Sequence, residues 1–253
     1  MMRMKALMVS VGLTFATYSA YGDAVQRSHA VGGLTAEQVF SNTNLVRLAT
    51  AACGGNAHGI SAAIARGADV NARGVNDTTP LMWALTCDNA AGIEALLRAG
   101  ANPNAYMGSV TPTYVAATRH DPAALRLLLR YRGDPNVAQR NGSRTALIEA
   151  LSLGINGLGW SNWEALLEAG ADINRADWRG YTIAIATTDF GQFERTAELL
   201  NRGYNYDLPQ LLRAVRSRRT DPNHPQTAWQ HRVEQMLVNR GVVEASGPPQ
   251  IRP

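Results

Sequence analysis

A five-residue phrase recurs along this chain at nearly constant spacing, and no other feature restricts its fold as much. Gly67-Ala68-Asp69-Val70-Asn71 is followed by Gly100-Ala101-Asn102-Pro103-Asn104, Arg132-Gly133-Asp134-Pro135-Asn136, Gly170-Ala171-Asp172-Ile173-Asn174 and a worn Gly203-Tyr204-Asn205-Tyr206-Asp207. The steps between the closing residues are 33, 32, 38 and 33. A second phrase follows the first four in almost fixed phase: Thr79-Pro80-Leu81-Met82, Thr111-Pro112-Thr113-Tyr114, Thr145-Ala146-Leu147-Ile148 and Thr182-Ile183-Ala184-Ile185. Such a period marks a chain of stacked supersecondary units, none of which can bury its apolar face alone. The hydrophobic content of 45% is then spread over thin seams between units rather than gathered in one centre.

Local chemistry says what each unit is. Thr79, Thr111, Thr145 and Thr182 stand where a helix N-cap belongs, and Pro80 and Pro112 occupy the first helical position, where a missing N–H costs nothing. Gly67, Gly100, Gly170 and Gly203 fall where a second helix closes in the left-handed conformation. Between them run apolar helical faces such as Ile93, Leu96, Leu97 and Leu125, Leu128, Leu129.

These two phrases resemble the ankyrin repeat, whose pattern is T-P-L-H-x-A, a helix pair, then G-A-D-x-N leading into a turn. The resemblance covers about residues 45–207 and implies an all-α fold: an ankyrin-repeat solenoid of stacked helix pairs with β-turn fingers. Three departures stand out. Arg132 takes the closing-glycine position of the third unit, at a cost of about 1 kcal/mol that Gly133 is expected to relieve. The histidine of the first phrase is replaced by Met82, Tyr114, Ile148 and Ile185. The fourth unit is longer, with Ser152 to Trp160 expected as a loop between its two helices.

The flanks divide further. Residues 1–22 read as a secretory signal peptide, with Arg3 and Lys5 ahead of an apolar run and Ala20-Tyr21-Gly22 at the cleavage point. Removing it reduces the formal charge of +4 to +2 and predicts a periplasmic protein with no stable membrane insertion. Residues 23–44 form an N-terminal capping segment, in which Thr35 and Gln38 make a capping box for a short helix at the end of the stack. Residues 208–245 supply two C-terminal capping helices, and 246–253, with three prolines, a disordered tail.

The chemistry of enzymes is missing from this pattern. The five histidines show no zinc-binding spacing, and there is no nucleophile elbow or phosphate-binding loop. The reading is therefore no enzyme, no metal and no cofactor. Cys53 and Cys87 lie near the ends of first helices in adjacent units. Export favours a disulfide between them; two free small core thiols are the alternative. Lys5 is the chain's one lysine. Arg213, Arg216, Arg218 and Arg219 cluster on a capping helix, either as a solvated face or toward an acidic partner. The small net charge argues against nucleic acid.

Ankyrin-repeat proteins bind other proteins through finger tips and inner helix faces. Here Tyr106, Met107, Arg140, Trp178, Arg179 and Tyr181 lie on or beside the fingers, and Trp83, Tyr114 and Glu149 on inner helices. Their types dominate interface energetics, so these nine are expected to bind a partner. Trp163 is expected in the core, and Trp160 as a lid over the helix ends or a second contact. The combination of signal peptide, Leu45 to Cys53 and Met82 to Cys87 resembles exported bacterial ankyrin-repeat immunity proteins of type VI secretion phospholipase effectors. That resemblance implies a protein, monomeric when unbound, that binds a lipase or phospholipase effector and blocks it. A periplasmic accessory or scaffold protein assisting another exported enzyme is the alternative, and a weak hydrolase hidden in the insertion a third.

Overall fold

The computed structural model describes residues 34–243 except 141, 143 and 178. The proposed signal peptide, the start of the capping segment and the proposed tail lie outside the described residues. Among the described residues the regular structure is helical: α1 Ala36–Val39, α2 Thr43–Cys53, α3 Ala57–Ala65, α4 Pro80–Thr86, α5 Ala90–Arg98, α6 Pro112–Ala117, α7 Ala123–Arg130, α8 Ala146–Ile155, α9 Ser161–Glu168, α10 Ile183–Asp189, α11 Phe193–Asn201, α12 Leu208–Ser217 and α13 Pro225–Asn239. The chain divides between Asp134 and Pro135 into two compact units.

Four threonines start the inner helices as their spacing predicts. The hydroxyls of Thr79, Thr111, Thr145 and Thr182 accept from the backbone N–H of Met82, Tyr114, Ile148 and Ile185, satisfying one otherwise orphaned donor in each helix. Asn56 and Asn89 do the same for the outer helices α3 and α5. The closing positions are left-handed, with φ of 90°, 91°, 83° and 94° at Gly67, Gly100, Gly170 and Gly203. Arg132 keeps that conformation at φ 67°. Gly133 does not share the strain. It is needed for a different reason: a Cβ there would lie 2.7 Å from Thr113 Oγ1 and 2.8 Å from the Leu128 carbonyl oxygen.

In the first unit, α2/α3, α4/α5 and α6/α7 are the helix pairs, with α2 packing on α4, α4 on α6, and α5 on both α3 and α7. Leu48, Ala52, Ile60, Leu81, Leu85, Ile93, Leu96, Leu125 and Leu128 fill the seams, each no more than 1% exposed. In the second unit the pairs are α8/α9, α10/α11 and α12/α13, with α10 packing on α8 and α12, and α11 on α13. Trp163, Phe193, Leu211, Val215, Val233 and Leu237 are fully enclosed there. Between pairs run extended turns, closed in three cases by isolated bridges, Met107 to Val110, Ala138 to Thr145 and Ala176 to Thr182.

Neighbouring turns are tied by the asparagine of the recurring phrase. Asn71 donates to the Gly100 carbonyl and accepts from Asn102 N–H, and Asn104 donates to the Arg132 carbonyl and accepts from Asp134 N–H. In the second unit Asn136 accepts from Asp172 N–H, and Asn174 from the N–H groups of Asn205 and Tyr206. One side chain per repeat thus bridges to the next repeat, which explains why the phrase must recur in phase.

Cys53 and Cys87 form a disulfide with α-carbons 5.2 Å apart, deciding between the two alternatives above. One cysteine ends α2 and the other caps α4, and this one-position offset brings the sulfurs together. The insertion is corrected in part: Ser152 to Ile155 extend α8 instead of looping, and only Asn156 to Trp160 leave the helix, through left-handed Gly157 and Gly159. Trp160 folds back over Gly154, where a Cβ would sit 2.4 Å from the indole, and meets Trp163 edge-to-face at 6.0 Å.

Candidate functional site

In the second unit the turns that carry Asn136, Arg144, Asp172 to Asp177 and Tyr181, with the inner helices α8 and α10, line a pocket of about 250 Å³. Its floor is apolar, from Leu147, Ile148, Ile183 and Ala186, with Phe190, 43% exposed, at the rim. Its edge is polar, from Arg144, Asp172, Arg175, Asp177 and Tyr181. Local structure sets each of these. The Thr145 and Thr182 caps start α8 and α10 so that Ile148 and Ile183 face the turns. Arg175 reaches across to the Asn136 carbonyl at 2.8 Å, locking the two turns at a fixed separation.

Two networks brace the walls. Asp177 accepts from the N–H groups of Arg179 and Tyr181, each at 2.8 Å, closing the turn. The Tyr181 hydroxyl donates to Asp189 at 3.0 Å. Burial, together with the Asp189 charge, pushes the Tyr181 phenol well above its ordinary pKa, so it stays protonated as a donor. The buried Glu149 holds Arg144 at 3.4 Å. An apolar floor with a few fixed polar groups is the composition of a recognition pocket.

The structure separates the nine expected contact residues. Tyr181 lines the pocket, Arg140 and Arg179 are exposed, and Tyr106 is half-buried with its carbonyl accepting from Arg73. Trp178 lies outside the described residues. Three expectations are corrected, because Met107, Tyr114 and Glu149 are 4%, 1% and 6% exposed, while Trp83, 9% exposed, is covered in this structure by another segment of the chain. Met107 is turned inward by its bridge to Val110, and its thioether accepts from the Thr78 hydroxyl. Tyr114 faces the seam between helices, and Glu149 is spent on Arg144. Trp83 is covered by residues 36–40, with Phe40 edge-to-face at 6.1 Å. Its indole Nε1 is buried without an acceptor among the described residues, an arrangement that costs about 1–3 kcal/mol.

Sequence reasoning passed over Ile148, Arg175 and Phe190. Arg175 carried a signal, since it directly follows the Gly170 to Asn174 phrase and so had to sit on a turn. Phe190 carried none. It caps the short helix α10, and its exposure follows from where that helix stops.

A second cluster lies around Glu198, which accepts from Trp163 Nε1, Arg195 and Arg202 at 3.0, 2.9 and 3.1 Å. Burial pushes its carboxyl up, but the donors outweigh burial and hold it below the usual carboxylate range. Arg195 also stacks over Trp160 at 4.6 Å. Among the described residues no group of three or more His, Cys, Asp or Glu is placed to hold a metal ion, and no helix is long and apolar enough to cross a membrane.

Stacked helix pairs tied by turns at a nearly fixed period define a helical-repeat protein. The family model for the ankyrin repeat, a module that generally mediates protein–protein binding, matches residues 76–107. Among solved structures, the human ASB11 ankyrin repeat domain is similar at 20% identity and a TM-score of 0.48, over 80% of this chain and 99% of that one.

Proposed function

We propose that this chain is an exported, non-catalytic protein-binding protein whose partner docks on the second unit's pocket, and that it acts as an immunity protein for a type VI secretion lipase or phospholipase effector. The observation that carries the binding reading is the pocket itself, an apolar floor between Ile148 and Phe190 whose edges are held rigid by the Arg175 and Asp177 hydrogen bonds. A preformed site of this kind loses little ordering entropy on association. The periplasmic reading is supported by the N-terminal sequence and by the Cys53–Cys87 disulfide, which belongs to an oxidising compartment. The immunity reading is supported by the resemblance of residues 45–53 and 82–87 together with the leader. Inhibition then needs no chemistry, only occupation of the effector's surface before it meets lipid.

Co-purification with a lipase, should one be encoded beside its gene, and loss of that lipase's activity on mixing are the expected results. Ile148→Asp combined with Phe190→Ala is expected to weaken that complex by at least about tenfold while the protein stays folded. Undiminished binding sinks the pocket assignment; an untouched lipase sinks the immunity reading, and a lipase that is bound but activated favours the accessory role.

A further inference from the structure

Beside α2 and Trp83 of α4, the first unit is already covered by the chain itself. Ala36, Val39 and Phe40 pack with Ala49 and Trp83 into a small cluster of their own, walled by Leu45, Val46 and Cys53. The covering segment is slight: one turn of helix closed by the Thr35/Gln38 capping box, then an extended Phe40 leading to the Asn42 cap of α2. Its hydrogen bonds are internal, Thr35 N–H to Gln38, and the Val39 and Phe40 N–H groups to Thr35 and Ala36 carbonyls. None of these reaches the face it covers. Beneath it Trp83 Nε1 is buried without an acceptor among the described residues, a rare condition that marks either strain or a missing partner. Gly74 shapes the opposite wall, since a Cβ there would lie 2.5 Å from the Val39 carbonyl oxygen and 2.9 Å from the Phe40 ring. Backbone therefore approaches backbone at this point, as it must when a peptide is seated.

We propose that residues 34–40 are a displaceable self-ligand filling a peptide-docking groove centred on Trp83, and that the incoming occupant is an apolar peptide segment bearing a carbonyl for Trp83 Nε1. The seated residues show what fits: a small residue, then an adjacent Val-Phe pair, with Glu37 and Gln38 outward. The disulfide at Cys53 keeps the wall in register while the segment leaves. This groove is built from residues of the first unit alone, and the pocket described above from residues of the second. Only its biological occupant rests on the protein-binding reading; the peptide test does not.

The double variant Val39→Ser/Phe40→Ser empties the groove, and a fluorescein-labelled peptide of residues 34–42 serves as probe. A tethered segment has an effective concentration of the order of millimolar, so a docked one must bind in trans with half-saturation below about 1 mM. Saturable binding to the variant, at least about tenfold weaker to the wild-type protein and abolished by adding Gly74→Val, is the expected result. A variant that is folded by circular dichroism, keeps its disulfide and binds no peptide overturns the proposal, as does equal binding to the wild type. Should the variant fail to fold, hydrogen exchange of the wild-type protein decides. Val39 and Phe40 amides should exchange at least about tenfold faster than those inside α4, and equal rates overturn the proposal.

Discussion

Arg132 shows how a single residue can sit in the wrong conformation and stay there. Its φ of 67° places a Cβ where the glycines of the other repeats have none, yet its carbonyl is held by Asn104 at 2.9 Å and the neighbouring Asp134 N–H by the same side chain at 2.8 Å. Those bonds fix the turn, so the strain is tolerated. Arg132→Gly should raise stability by roughly 0.5–1 kcal/mol, read as a higher urea midpoint with unchanged slope. Glu198 acts in the opposite sense. Its folded pKa lies below the ordinary 4.5, so its stabilisation is present above that value and is lost as pH falls through the folded one. The melting temperature should therefore decline below about pH 4.5, and Glu198→Gln should flatten that decline while lowering stability at pH 7.

Elements were legible from the sequence to the extent that their causes are local. A threonine hydroxyl caps its own helix three residues on, so all four inner-helix starts follow from spacing, and a left-handed closing residue announces itself as glycine. The burial of Trp83, Met107 and Tyr114 was not legible, because each is covered by something distant in sequence or by a fold of the turn: Phe40, the Val110 bridge, the neighbouring helix. The α8 extension was missed for a related reason. Gly154 reads as a breaker, yet it is retained as the seat of Trp160. Gly92 offers a sharper test of close packing between elements. A Cβ on it would lie 1.8 Å from the Ala52 carbonyl oxygen, which is backbone and cannot rotate away. Gly92→Ala, favourable by helix propensity alone, should instead destabilise by about 2 kcal/mol or more as α5 is pushed off α2, measured by chemical denaturation.

Taken whole, the molecule relies on contacts between neighbours, and no single repeat is complete without the next. The sequence conveyed this architecture through its period, together with the cysteine pair. It did not convey where the inner surface is open, since that depends on the covering segment and on the lengths of turns. The disulfide is the one side-chain covalent cross-link between repeats, since the chain has two cysteines. It closes a loop of 34 residues, for which chain entropy gives about 4 kcal/mol. Reduction should lower the melting temperature markedly, and Cys53→Ala/Cys87→Ala should match the reduced protein under both redox conditions.

That link also sets how the chain answers force. A pull on its two ends would unravel helix pairs until tension reached Cys53 and Cys87, where the intervening residues cannot be drawn out. At roughly 3.3–3.6 Å per residue, about 115 Å of contour length stays withheld while the bond is intact. Stretched in a reducing buffer, the same molecule should lengthen by that further increment, so that one repeat's worth of chain reports the redox state of its surroundings as a distance.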